Sequence, residues 1–176
     1  MNLGKVILKP AKDKSIKRFH PWIFSGAIKK IKTAAGQDAE PQEGDLVRVT
    51  SNKGDFLGTG HYQNGSIAVR ILSFQDVGID EDFWTKRIKE AYELRQQIHL
   101  TDNKSTNIYR LIHAEGDGLP GLILDYYAGT VVVQSHSIGM HYAKDIIVKA
   151  IKNVYGDKLK AIFDKSEYVD SNSPST

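Results

Sequence analysis

At 176 residues, 40% hydrophobic and 26% charged, the chain is long enough to bury a core as one medium domain or two small ones. With no cysteine it can form no disulfide, no thiolate nucleophile and no zinc site built on sulfur. The net charge of +3 conceals a split, because the first 35 residues hold nine Lys and Arg against a single acid, Asp13.

The apolar runs are strand-sized and too short to span a bilayer. No apolar leader follows Met1, so the expectation is a cytoplasmic chain without membrane contact. Residues 5–8 read as a first strand, and a short helical or irregular segment is predicted to begin after Pro21. The Ala-, Gly- and acid-rich stretch 34–44 reads as an exposed loop. Residues 46–50 alternate with period two, and Ser51-Asn52-Lys53-Gly54 turns the chain into a strand over 56–61. Asn64-Gly65 is a type I′ hairpin signal that delivers a strand over 67–72. These short strands predict a small β-barrel.

From Asp80 the period changes to that of a helix. Asp80, Glu81 and Asp82 make an acidic first turn, and Trp84, Ile88, Ala91 and Ile98 form its apolar side. It is expected to connect two domains and to end in the polar loop 101–105. Strands are predicted over 110–114, 119–127 and 131–136, with Ala128-Gly129 as a tight turn. Ser137 caps one expected helix whose stripe is Met140, Ala143, Ile147, Ile151 and Val154, with an Asp145–Lys149 pair and Gly156 past its end. Residues 159–163 read as a last strand, and the polar 168–176 as a flexible tail.

The basic stretch carries the strongest functional signal. Lys12, Lys14, Lys17, Arg18, Lys29 and Lys30 crowd like charges whose self-repulsion an anion would relieve. Aromatics are interleaved with them in Arg18-Phe19-His20-Pro21-Trp22-Ile23-Phe24, a mixture that suits nucleic acid, with cations for phosphates and rings for bases. His20 and Trp22 are candidates to stack on a base or to brace the segment. Arg70 alternates with Val69 and Ile71, faces outward and is a further candidate.

Other motifs point away from small-molecule chemistry. Gly116-Asp117-Gly118-Leu119-Pro120-Gly121 has the spacing of a dinucleotide loop, but it leads into a strand where that loop needs a helix N-terminus, so it reads as a hairpin turn. His113-x-Glu115 opens like a zinc deaminase signature whose cysteine half cannot exist here. The histidines lack ligand spacing, and no metal is expected.

Taken in order, residues 18–28, Gly44-Asp45-Leu46-Val47, Gly58-x-Gly60-x-Tyr62, residues 67–72 and the block Tyr109 to Asp125 resemble the N-terminal half of the large-subunit (23S) rRNA cytosine-C5 methyltransferase family. The resemblance implies an α+β chain: a PUA-like RNA-binding β-barrel over 1–75, a connecting helix and loop over 76–104, and a small β-β-α-β-β domain over 105–167. It implies rRNA as partner, and a Rossmann-type catalytic domain using S-adenosylmethionine that this chain does not contain. No cofactor and no catalytic residue is expected in the chain itself. Glu115, Asp117 and Gly118 are then expected to orient substrate against the missing domain. A stand-alone RNA-binding or ribosome-associated adaptor uses the same basic surface and stays open at this point, as does the oligomeric state.

Overall fold

The computed structural model describes residues 3–167, which divide into two compact units, Met1–Gly78 and Ile79–Thr176. The first unit is a six-stranded sheet. Its strands are β1 (Gly4–Leu8), β2 (Trp22–Phe24), β3 (Ile28–Lys32), β4 (Leu46–Thr50), β5 (Phe56–Tyr62) and β6 (Ile67–Ser73), in the order β2-β6-β5-β4-β1-β3. All pairings are antiparallel except β1 with β4, which run parallel.

The edge strands β2 and β3 are joined only by the 3-10 turn Ser25–Ala27. Laid flat, six strands would hold these edges about 24 Å apart. The chain from Phe24 to Ile28 spans at most about 14 Å, so the sheet has to curl. Ser25 N–H donates to Ser66 O at 2.9 Å, and Ala27 O accepts from Lys9 N–H at 2.8 Å, which ties this joint to both sides of the seam. Val6, Leu8, Ile23, Val47, Val49, Val69 and Ile71 point inward and are at most 2% exposed. The segment after Pro21, expected to be helical or irregular, opens as the strand Trp22–Phe24 before the 3-10 turn, because its aromatic and β-branched side chains pair with β6 and send Ile23 into the core.

In the second unit α1 (Glu81–Gln97) precedes β7 (Ile108–His113), β8 (Leu122–Tyr127) and β9 (Thr130–Ser135), followed by α2 (Ile138–Tyr142), α3 (Lys144–Tyr155) and β10 (Ala161–Asp164). The sheet order is β10-β9-β8-β7. After α1 the sequence of elements is therefore β-β-β-α-α-β, and not the β-β-α-β-β that the resemblance implies. Ala128 and Gly129 both take positive φ, the hairpin geometry that sets β9 directly beside β8.

Asp80 caps α1 by accepting from Phe83 N–H at 3.1 Å. The helix expected as a connector is built into the second unit, with Trp84 and Ile88 fully buried. Ile98 falls outside it and is exposed; Arg95 occupies that end of the buried face. The single helix expected after Ser137 is broken at Ala143 into α2 and α3. Among the described residues Asp145 and Lys149 form no ion pair, and Lys144 bonds Asp164 on β10 at 2.7 Å instead. Tyr109, Tyr126 and Tyr155 stack at centroid distances of 4.9 and 5.2 Å, pinning α3 to the sheet. Residues 168–176 lie outside the described residues.

Candidate nucleic-acid interface

The connection from β1 to β2 carries the densest cations, and one side chain anchors it. Ile16 is 2% exposed, while its neighbours Lys12, Lys14, Lys17 and Arg18 are all exposed. A 3-10 turn, Ile16–Arg18, holds the segment, with Phe19 N–H and His20 N–H returning to Ile16 O and Ser15 O. Lys17 pairs with Asp13, and that contact lowers the Asp13 carboxyl and raises the Lys17 ammonium from their ordinary pKa values. Among the described residues Lys12, Lys14 and Arg18 have no ion pair and no hydrogen bond from their side chains.

Folding brings a second basic strand to the same place. Lys29 on β3 donates to Asn52 Oδ1 at 2.9 Å, and Lys17 lies within electrostatic reach of Asp55. Asn52 and Asp55 belong to one turn, closed by Ser51 N–H on Asp55 O at 2.8 Å, and the exposed Lys53 sits on it. The sequence marks that turn, but only the topology places Lys53 among the other cations. Lys30 is spent differently, on Asp38 of the following loop at 2.6 Å.

Period two along β2 puts His20, Trp22 and Phe24 on one face. His20 and Phe24 meet Trp22 edge to face at 5.9 and 6.4 Å, and His20 Nδ1 accepts from Trp22 N–H at 3.2 Å. Trp22 is half-buried and Phe24 exposed. Phe19 is 71% exposed yet packs its ring on Phe74 at 5.3 Å. Arg70 lies opposite Trp22 across the β2–β6 ladder and opposite His61 across the β5–β6 ladder. It is half-buried and donates to Gln63 Oε1 at 2.8 Å, so it flanks the rings without joining the Lys12–Arg18 cluster. Burial, with Arg70 beside it, lowers the His61 pKa to about 4.

The 115–121 turn has a different character. Asp117 is held by both oxygens on Arg95 of α1 at 2.5 and 2.8 Å, and it accepts from His113 N–H at 2.6 Å. Arg95 also donates to Arg110 O at 3.0 Å. Gly118 takes φ +69, with Arg87 Nη2 only 3.1 Å from where a Cβ would stand. Glu115 is exposed. Sequence reasoning missed Arg95, which is 22 residues from Asp117 and carries no local mark of its partner. Among the described residues no group of three or more His, Asp or Glu could hold a metal ion.

A parallel strand set inside an otherwise antiparallel curled sheet, with a basic edge, agrees with a match of residues 6–74 to the PUA-like domain family. Residues 6–74 are a PUA-like domain. Across most of its length the chain, PUA-like domain included, is homologous to proteins named ribosomal RNA large subunit methyltransferase I. The Alteromonas mediterranea protein is 40% identical over 156 residues, which is 88% of this chain and 37% of that protein. The Shewanella frigidimarina protein is 39% identical over 169 residues, or 95% and 40%. The chain thus spans well under half the length of these relatives. The fold recurs in a solved structure from Streptococcus mutans described as a SAM-dependent methyltransferase, with TM-score 0.75 and 20% identity, covering 97% of this chain and 44% of that one. A second methyltransferase structure, complexed with SAH, also gives TM-score 0.75, at 21% identity.

Proposed function

We propose that this chain is the RNA-recognition part of a large-subunit rRNA methyltransferase acting in the cytoplasm. Lys12, Lys14, Lys17, Arg18 and Lys29 hold the RNA backbone, with Lys53 added from the neighbouring turn. His20 and Trp22 offer ring faces to unstacked bases, and Arg70 and Lys30 contribute charge at the margin. Methyl transfer from S-adenosylmethionine to C5 of a cytosine belongs to the greater part of the relatives that this chain does not span, and no catalytic residue is assigned within it. Glu115, Asp117 and Gly118 serve that missing part indirectly, with the Asp117–Arg95 brace fixing the turn that Glu115 presents.

The observation that carries the reading is the set of exposed cations that form no ion pair among the described residues, Lys12, Lys14 and Arg18, gathered at the end of the barrel where Lys29 and Lys53 also lie. A polyelectrolyte partner satisfies all of them at once. Fluorescence anisotropy of the chain against a structured rRNA fragment is the test. Six phosphate contacts predict a slope of log K against log salt between about −4.2 and −5.4. A slope near zero, or no binding at low salt, rejects the proposal.

A further inference from the structure

The seam of the PUA-like barrel carries a cleft of about 460 Å³, whose polar lining is Ser25, Lys29, Lys30, Asp38, Glu40, Tyr62 and Asn64. It lies where β3 ends the sheet. Among the described residues β3 pairs only with β1, so its second edge has no strand partner, and residues of β3 line this cleft. The floor carries aliphatic side chains of β3, and the far wall is the Asn64-Gly65 hairpin.

The lining is chemically mixed in an ordered way. At the β3 side Lys29, bonded to the neutral Asn52 amide, supplies positive charge, while the charge of Lys30 is matched by Asp38 at 2.6 Å. The Tyr62 phenol is almost fully buried and hydrogen-bonded to Glu40; burial and that bond push its pKa up to about 12, so it keeps its proton. Tyr62 and the exposed Glu40 both line the cleft, and a carboxylate that takes one hydrogen bond from a phenol keeps acceptor capacity for a ligand there. The Asn64 amide adds a donor and an acceptor.

We propose that this seam cleft binds a single unstacked nucleotide of the RNA, with its phosphate on Lys29 and its base edge on Glu40, Asn64 and the free edge of β3. The inference rests on the RNA-binding reading and adds a base-reading site to a surface that otherwise grips backbone. The volume, at the small end of ligand pockets, admits one nucleotide and excludes a base pair. Single-stranded bases turned out of the stack are what proteins read by hydrogen bonds on RNA. A carboxylate acceptor takes a hydrogen bond from the exocyclic amine of cytosine, adenine or guanine, whereas uracil offers it only the ring N3–H, so the amino-bearing bases should bind more tightly than uracil.

Amide chemical shifts of the full chain are to be followed against the four ribonucleoside 5′-monophosphates and against inorganic phosphate. Expected are shifts clustered in residues 25–31, 38–40 and 62–65, with uridine monophosphate at least threefold weaker than cytidine monophosphate and phosphate alone failing to move 62–65. Ala39→Trp fills the cleft from an exposed loop position and should weaken nucleotide binding at least tenfold, while Glu40→Gln should erase the preference for amino-bearing bases. Scattered shifts, equal responses to phosphate and nucleotides, or an Ala39→Trp variant that binds like wild type would overturn the inference. If that happens while structured RNA still binds with a steep salt slope, the cleft fails and the RNA reading stands. Clustered nucleotide shifts without RNA binding would instead leave the cleft standing and reject the RNA reading.

Discussion

Arg95 and Asp117 show how much one pair of side chains can organise. The guanidinium is 11% exposed and the carboxylate 7%, and the pair links the helix Glu81–Gln97 to the turn after His113. Removing one member strands the other without a counter-charge, which costs about 3–5 kcal/mol for a buried pair. Asp117→Ala should therefore shift the urea midpoint of the second unit strongly downward, while Glu115→Ala, at an exposed carboxylate, leaves it near wild type. His61 makes a pH-dependent case. Its folded pKa of about 4 lies below the ordinary histidine value of 6.5, so below pH 6.5 the unfolded chain takes up a proton that the folded chain refuses. The His61 contribution to stability should fall as pH drops from 6.5 to about 4 and level off below, with a loss of about 3 kcal/mol from this group. His61→Gln should flatten the slope in chemical denaturation followed between pH 7 and 5, above the carboxylate range, and a variant whose slope there equals that of the wild type refutes the assignment to His61.

Among the elements, β5 and β6 are constrained by contact at backbone distance. A Cβ on Gly60 would lie 2.1 Å from Arg70 O, so the two strands can approach only if that position has no side chain. Gly60→Ala should destabilise the first unit by about 3–5 kcal/mol, whereas Gly26→Ala, with nothing within 4 Å, leaves thermal melting unchanged. Which elements could be read in advance follows from the range of the forces that make them. The turns at Asn64-Gly65 and Ala128-Gly129 and the helix start at Asp80 are written in two to four adjacent residues and stand where the sequence places them, although Asn64 lacks the positive φ of the expected type I′ turn and Asp80, expected in the acidic first turn, is the N-cap. Trp22–Phe24 depends on a partner strand more than forty residues away, and nothing local separates it from a helix start after proline. The break at Ala143 is equally invisible, because the apolar stripe continues across it. The basic segment was legible as charge, but its neighbours Lys29 and Lys53 meet it only once β3 and the 51–54 turn are placed by the sheet.

For the molecule as a whole, charge divides along the boundary between the units. Met1–Gly78 carries twelve Lys and Arg against seven acids, and Ile79–Thr176 carries twelve against fourteen. A polyanion should therefore be gripped by the first unit, with the second contributing little to the counterions released. The lysines of the second unit test this, because Lys149 and Lys152 on α3 are as exposed as Lys14 and Arg18. Reversing Lys14 and Arg18 to Glu should flatten the salt slope by about 1.5, since each lost phosphate contact removes roughly 0.7 to 0.9. Reversing Lys149 and Lys152 to Glu changes net charge by the same amount and should leave the slope within error, measured by anisotropy between 50 and 200 mM salt. Equal effects from the two pairs would mean that overall charge, and not a located surface, governs binding, and the assignment to the barrel end would fall.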